Sequence, residues 1–296
     1  MKKYQFKKID AFTTGLSSGN PAGCVYLNAK DEITTEEMQK IATDLKGFVN
    51  EVIYLFPEND TYFLKYYSSE CEVDFCGHGT IAIMYDFIKN NPLLQNKPEI
   101  NIRVKDEILS VKNNIVKDNS IYIYAPSPKY LTTNLTIDDI AIALNIEKSM
   151  IDLKYKIDLI NGGLNTLIVS IKDLEYCLTV LPDQAELRKF CLNNNIDIIL
   201  IFTENVFYKE NNFRTRVFAP KFGYLEDPAT GSGNAAFGYY LLKEKLWDGK
   251  KLIIEQSSNK NTPNIVKLTS SINNNNLHIL FGGSAIVRIA GEYILY

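Results

Sequence analysis

An internal repeat constrains this chain more than any other feature. The segment CGHGTIAIMYDFIK (76–89) recurs in pattern as TGSGNAAFGYYLLK (230–243), 154 residues later. Upstream, NEVIYLFPEN (50–59) is echoed by IDIILIFTEN (196–205). Chance similarity between two apolar helices is the alternative, but the flanking elements recur in the same order. The repeat therefore predicts two domains of similar fold that face each other.

The repeat also predicts where the chain divides. Pro126 and Pro128 interrupt the strand-like pattern between the two copies, so we expect the boundary near 126–135. We expect an N-terminal domain over 1–125 and a C-terminal domain over 126–280. The tail 281–296 contains GGSAIVRIAGEYIL, which resembles a closing strand, and we expect it to rejoin the first domain.

Composition narrows the class of protein. The chain has 296 residues, of which 46% are hydrophobic and 23% are charged, as in ordinary globular proteins. A formal net charge of −3 argues against nucleic-acid or anionic-membrane partners. The five cysteines are an odd number and are scattered, and neither a leader sequence nor a membrane span is visible. We expect a cytoplasmic protein.

Local patterns predict the helices. The first helix, over 35–47, opens with Thr34 and Glu37 in capping-box spacing. Further helices are predicted over 78–89, 136–145, 183–194 and 232–244. The polar tract 273–276 predicts a turn.

Small-residue loops precede the two repeated helices, at 76–79 and 230–233. The first N–H groups of a helix lack acceptors within the helix and carry partial positive charge. Glycines would let a carboxylate or phosphate approach those groups closely. The alternative is that the glycines only allow tight helix packing, and the loops alone do not decide between the two.

Several familiar site types are missing from the sequence. The first loop lacks G-x-G-x-x-G, and no phosphate-binding G-x-x-x-x-G-K-[ST] motif occurs anywhere. Cys71 and Cys76 are five residues apart, with no second pair to complete a metal site. We therefore expect no metal and no nucleotide cofactor.

Three residues near the loops are candidates for acid–base chemistry. His78 lies in the first turn of a predicted helix, where the helix dipole should favour neutral imidazole. Asp227 precedes the second loop, and its alternative role is to cap the helix that follows. Glu51 begins an apolar strand; it is either an exposed strand-end charge or a cleft carboxylate whose pKa burial would raise.

The motifs around these residues resemble the phenazine-biosynthesis PhzF-like family, within the diaminopimelate-epimerase-like fold. The matching segments, in family order, are DAFTTGLSSGNPAGCVYL (10–27), NEVIYLF (50–56), CGHGT (76–80), EDPATGSGNAA (226–236) and GGSAIVRIAGE (282–292). The resemblance implies an α+β fold of two pseudo-symmetric domains. Each would be a mixed, curled β-sheet around a central helix, with the active site between the domains.

The resemblance also implies a function. The family's characterised activity is isomerisation of trans-2,3-dihydro-3-hydroxyanthranilate without metal or organic cofactor. It would make Glu51 the shuttling acid/base in a homodimeric enzyme that acts on a small carboxylate. The substrate-binding residues implied by the resemblance are Asn20, Gly77, His78, Asp227, Gly231, Ser232 and Gly233.

Departures from the family pattern leave alternatives open. Asn50 and Val52 flank the glutamate where Ser or Thr is common, which puts the substrate in doubt more than the chemistry. An amino-acid epimerase of the same fold would use two cysteines, but Cys76 is matched in the repeat by Thr230. A non-catalytic protein that binds a small carboxylate is the third possibility.

Overall fold

The structure is a computed structural model that describes residues 1–58, 61–273 and 276–296. The turn predicted over 273–276 lies partly outside these residues. The chain forms two compact units, one of residues 1–124 with 282–296 and the other of residues 125–281. Among the described residues, no helix combines the length and apolar character that a membrane crossing requires.

The first unit contains a mixed sheet. Its strands are β1 (Lys2–Ala11), β2 (Asn20–Tyr26), β3 (Glu51–Glu58), β4 (Thr61–Ser68), β5 (Glu72–Val73), β6 (Glu99–Val104), β7 (Glu107–Asn114), β8 (Ser120–Tyr124) and β18 (Ala285–Leu295). Its helices are α1 (Thr35–Asp44), α2 (Gly77–Lys89), α3 (Pro92–Gln95) and α4 (Ile115–Asp118). β1 pairs antiparallel with both β2 and β18, so the C-terminal strand belongs to this unit.

The two faces of this sheet are covered differently. α2 packs on β1, β2, β3, β8 and β18 and is buried along most of its length. On the other face, Met38 and Ile41 of α1 pack with Val52 and Tyr54 of β3. Thr34 and Glu37 form the predicted capping box, but α1 ends at Asp44 rather than at 47. Its C-cap residue Leu45 has non-helical angles, φ −93° and ψ 8°, and Gly47 has a φ of 81°, so the predicted last turn is not helical.

The second unit is built from the intervening chain. Its strands are β9 (Lys129–Leu131), β10 (Asp158–Asn161), β11 (Asn165–Ser170), β12 (Ile198–Thr203), β13 (Phe213–Phe218), β14 (Glu226–Asp227), β15 (Leu252–Gln256), β16 (Asn264–Asn273) and β17 (Asn276–Gly283). Its helices are α5 (Ile137–Leu144), α6 (Leu174–Thr179), α7 (Gln184–Asn193) and α8 (Gly231–Lys243). α8 packs on β10, β11, β12 and β16.

The two units share one strand order. In the first, β2 runs parallel to β3, β3 antiparallel to β4, and β4 parallel to β6, which is antiparallel to β7. In the second, β11, β12, β13, β15 and β16 follow the same sequence of parallel and antiparallel pairings. α2 and α8 are both 13 residues long and enter at the same place in this order. Each unit is therefore a mixed sheet with a buried helix.

Candidate active site

Strand alternation decides where Glu51 points. Successive side chains of a strand face opposite sides of the sheet. Val52 and Tyr54 face α1, so Glu51 and Ile53 face α2. A β-carbon placed on Gly79 would lie 2.5 Å from Ile53 Cδ1, so only glycine lets the start of α2 approach β3 this closely. Glu51 therefore lies beside the first turn of the buried helix.

Two side chains from that turn meet the glutamate. Cys76 is the N-cap residue of α2, and its Sγ accepts the N–H of Gly79 at 3.3 Å. The same sulfur lies 3.4 Å from Nδ1 of His78. Nε2 of His78 lies 3.3 Å from Oε2 of Glu51. The start of α2 supplies a thiol and an imidazole, and the start of β3 supplies a carboxyl group. The three groups form a compact cluster.

Burial changes the acid–base chemistry of Glu51. Its side chain is only 22% exposed, and its buried Oε2 makes no hydrogen bond to any described group, because the contact with His78 lacks hydrogen-bond geometry. Desolvation raises the pKa of Glu51 to about 7, against a smaller opposing effect of a hydrogen bond from Cys76. The sequence allowed Glu51 to be either an exposed charge at the end of a strand or a buried carboxyl group. Its burial excludes the exposed charge.

The cluster could also be considered as a metal site. Glu51, Cys76 and His78 can each offer one ligand atom, and these atoms lie within 4.8 Å of one another, the one such group of three in the described part of the chain. This group of three could not be found from residue spacing in the sequence, because Glu51 lies on a strand that packs beside the start of α2 only in the folded chain. A metal-bound cysteine must lose its proton, and a Cys76 thiolate could no longer donate the hydrogen bond that lowers the pKa of Glu51. The contacts are those of a hydrogen-bonded cluster.

Asn20 belongs to the same neighbourhood. It is the first residue of β2 and is buried, and its Oδ1 accepts a long hydrogen bond from the side chain of Asn50 at 3.4 Å. Asn50 directly precedes Glu51, and β2 runs parallel to β3 with Ala22 opposite Glu51. The structure thus brings together three predicted site residues of the first unit, namely Asn20, Glu51 and His78.

The loop before Asn20 is held by a residue that the sequence analysis did not single out. Arg288 of β18 donates from Nε to Asp10 at 2.9 Å and from Nη2 to the carbonyl of Ser17 at 3.0 Å. Gly19 has a φ of 69°, and a β-carbon there would lie 2.8 Å from the carbonyl oxygen of Ala11. Arg288 lies in the C-terminal motif GGSAIVRIAGE, which was the available signal.

The remaining predicted residues lie in the second unit, at the start of α8. Asp227 does not cap the helix, whose N-cap residue is Thr230; its Oδ1 instead accepts the N–H of Ala229 at 3.3 Å. Ser232 is half-buried in the first turn. A β-carbon on Gly231 would lie 2.3 Å from Phe281, so tight packing alone already requires glycine there. Gly233 is also close-packed, 3.0 Å from Ile198 by the same measure. Their role as backbone donors stays a prediction.

A buried amide network holds this second loop. Oε1 of Gln256 accepts the N–H of Thr230 at 3.0 Å and the side-chain amide of Asn234 at 2.7 Å, while its Nε2 donates to the carbonyl of Asp227 at 2.8 Å. Asn264 donates to the carbonyl of Pro228 at 2.7 Å. These residues could not be predicted from the sequence, because a single Gln in a strand does not indicate that it will bond a residue 26 positions away.

The comparison with known families decides the identity of the chain. Residues 9–291 match the phenazine biosynthesis-like protein family. The chain belongs to this family. The chain is 29% identical to an uncharacterized isomerase of Clostridium acetobutylicum, and the match covers 100% of the chain and 99% of the relative. The resemblance inferred from the motifs is confirmed.

Solved structures agree with the fold of this chain. The Bacillus anthracis phenazine biosynthesis protein of the PhzF family has a TM-score of 0.87 at 26% identity, with 100% of both chains covered. A probable proline racemase of Agrobacterium radiobacter has a TM-score of 0.62 at 11% identity, over 99% of this chain and 93% of the other. The predicted diaminopimelate-epimerase-like fold is therefore confirmed.

Proposed function

We propose that this protein is an isomerase that moves a proton within a small carboxylate substrate, with Glu51 as the single acid/base group and with no metal or organic cofactor. The observation that carries the proposal is the buried carboxyl group of Glu51. Oε2 of Glu51 makes no hydrogen bond within the described part of the chain, and burial raises the pKa of the Glu51 carboxyl group to about 7. The Clostridium acetobutylicum relative is named an isomerase, which supports the reaction class.

A carboxyl group with this pKa can act in both directions. Near neutral pH the acid and base forms of Glu51 are both populated. The carboxylate takes a proton from one substrate carbon; that C–H bond breaks, and its electron pair passes into the unsaturated part of the substrate. The carboxylic acid then returns the proton to a second carbon, where a new C–H bond forms. Because one group performs both steps, the proton should stay on one face of the substrate.

The other predicted residues are proposed to bind the substrate. Family resemblance supports this role for His78, Asp227 and Ser232, and also for Asn20 and the loop glycines. The N-terminal ends of α2 and α8 carry partial positive charge, which favours a substrate carboxylate. These interactions should stabilise the bound substrate and the transition state of proton transfer to a similar extent. Their main effect is therefore on the affinity of the protein for its substrate.

Deuterium exchange tests the proposal. Small cyclic and acyclic carboxylates are screened for binding by thermal shift, and each ligand found is then incubated with the protein in D₂O. We expect deuterium at a ligand carbon with the parent chain and a loss of about 10²–10⁴-fold in Glu51→Gln. Glu58→Gln, at the other end of β3, is the matched control and should exchange at the parent rate.

The alternatives predict different outcomes. If Glu51→Gln exchanges at the parent rate while Cys76→Ser is inactive, the thiol-based epimerase replaces the present proposal. If ligands bind and the parent chain exchanges none of them, the protein is a carboxylate-binding protein.

A further inference from the structure

Cys76 is held more tightly than a helix N-cap requires. Its carbonyl oxygen accepts both the N–H of Thr80 at 2.9 Å and the hydroxyl of Thr80 at 2.8 Å. Tyr66 bonds the same hydroxyl at 2.8 Å. Its sulfur accepts the N–H of Gly79, so backbone and side-chain contacts together determine where the thiol lies.

The repeat shows that the helix itself does not need this cap. The N-cap residue of α8 is Thr230, the residue equivalent to Cys76, and no side-chain hydrogen bond caps that helix. Its carbonyl is held in the same manner, by the side chain of Asn234 at 2.8 Å. Of these two equivalent positions, the one in the first unit carries a thiol, and its sulfur lies within 4.8 Å of a carboxylate oxygen of Glu51.

We propose that Cys76 is a positioning residue for Glu51: its sulfur is anchored by the N–H of Gly79, and its S–H donates to the Glu51 carboxylate. The proposal rests on the proposed role of Glu51 and extends it. The thiol holds the carboxyl group beside His78 and favours the ionised form that accepts the substrate proton. Cys76 itself forms no bond to the substrate.

Few groups compete with this effect. In the described part of the chain, Cys76 and His78 are the two side chains that form a group with Glu51 in which the Cys, His and carboxylate ligand atoms lie within 4.8 Å of one another. On the neighbouring strands, the residues opposite Glu51 are Ala22 of β2 and Ser68 of β4, and neither titrates. Removing the thiol should therefore change mainly the hydrogen bond to the carboxylate, because the burial of Glu51 is set by the sheet and the helix. A hydrogen bond to the ionised form lowers the pKa of a carboxyl group.

The test is a titration of Glu51 that needs no substrate. Glutamate labelled with ¹³C at the carboxyl carbon is followed by NMR from pH 4 to 10, and the Glu51 signal is assigned by its loss in Glu51→Gln. The parent chain should titrate near 7. In Cys76→Ala the midpoint should rise by about half a pH unit or more, since a donor to the carboxylate is lost. Cys76→Ser keeps a donor and should return the midpoint toward the parent value.

Two further variants keep the result decisive. Cys76→Val removes the donor in a residue that suits the extended backbone of this position, φ −131° and ψ 107°, and it serves if the alanine variant does not fold. Cys71→Ala removes an exposed cysteine and should leave the midpoint unchanged. An unchanged midpoint in the folded Ala or Val variant overturns the proposal. Absence of deuterium exchange in the parent chain would instead overturn the proposed function, so the two failures are distinguishable.

Discussion

Nε2 of His78 lies 3.3 Å from Oε2 of Glu51, while its Nδ1 lies 3.4 Å from the sulfur of Cys76. The imidazole therefore touches both the proposed proton-transfer group and its proposed positioning residue. All three side chains belong to the first unit, and the helix start and the strand start converge on them.

The rate of carbon–proton exchange should rise with pH through a midpoint of about 7. Burial raises the pKa of Glu51 to this value, and only the ionised form can accept the substrate proton. The measurement is the initial rate of deuterium incorporation from pH 5 to 9 at saturating ligand. A midpoint near the ordinary glutamate value of 4.5 would contradict the prediction.

The free energy of unfolding should fall as pH rises from about 4.5 to about 7. The folded chain keeps the Glu51 proton up to a pKa of about 7, whereas the unfolded chain releases it near 4.5. The loss is at most about 3.5 kcal/mol, at about 1.4 kcal/mol per pKa unit. Urea unfolding at pH 4.5 and 8 should show this loss in the parent chain and not in Glu51→Gln.

Glu58, a second glutamate on β3, should affect the pH dependence of stability in the opposite direction. Arg103 and Lys30 lower the pKa of Glu58 to about 2. Glu58 therefore contributes stability that is present at neutral pH and is lost in acid. The Glu58→Gln variant should still show the fall in the free energy of unfolding between about pH 4.5 and 7 that the parent chain shows. A similar effect of both substitutions would show that the loss does not come from Glu51.

His78→Ala and Asp227→Asn should weaken both ligand binding and exchange, unlike Glu51→Gln. These residues are proposed to hold the substrate, so their loss should raise the dissociation constant measured by titration calorimetry. Glu51→Gln should retain nearly the parent affinity. If His78→Ala and Asp227→Asn bind as tightly as the parent chain, the substrate-binding assignment is wrong.

Gln256→Leu should destabilise the second unit by about 2 kcal/mol or more. The substitution leaves the N–H of Thr230 and the amide of Asn234 without the oxygen they share, and a buried unsatisfied donor costs about 1–3 kcal/mol. Urea unfolding provides the measurement. Gln184→Leu, at an exposed site on α7, is the control and should change the free energy of unfolding by less than about 0.5 kcal/mol.

Exhaustive dialysis against a chelator should leave the exchange rate unchanged. The Glu51 carboxyl group has a pKa suited to accept and return the proton by itself. Exchange is measured before and after dialysis, with and without added Zn²⁺. A loss of activity that Zn²⁺ restores would assign a metal to the cluster of Glu51, Cys76 and His78.

Elements whose signals are local could be predicted from the amino-acid sequence. The repeated helices were predicted over 78–89 and 232–244 and are observed over Gly77–Lys89 and Gly231–Lys243. Small residues before an apolar run, or a Thr and Glu in capping-box spacing, act through bonds within a few residues and are visible in the chain. The motif set likewise indicated the family and its fold.

Contacts between groups that are distant in sequence became visible only in the folded chain. The position of Glu51 at the head of a strand was visible in sequence, but its burial depends on the packing of α2 against β3, where Gly79 lies against Ile53. Arg288 reaches Asp10 across 278 residues, and Gln256 reaches Thr230 from another strand. Local patterns carry no information about such partners, because they are brought together by sheet pairing and helix packing. The physical environment that raises the pKa of Glu51 therefore exists only in the folded chain.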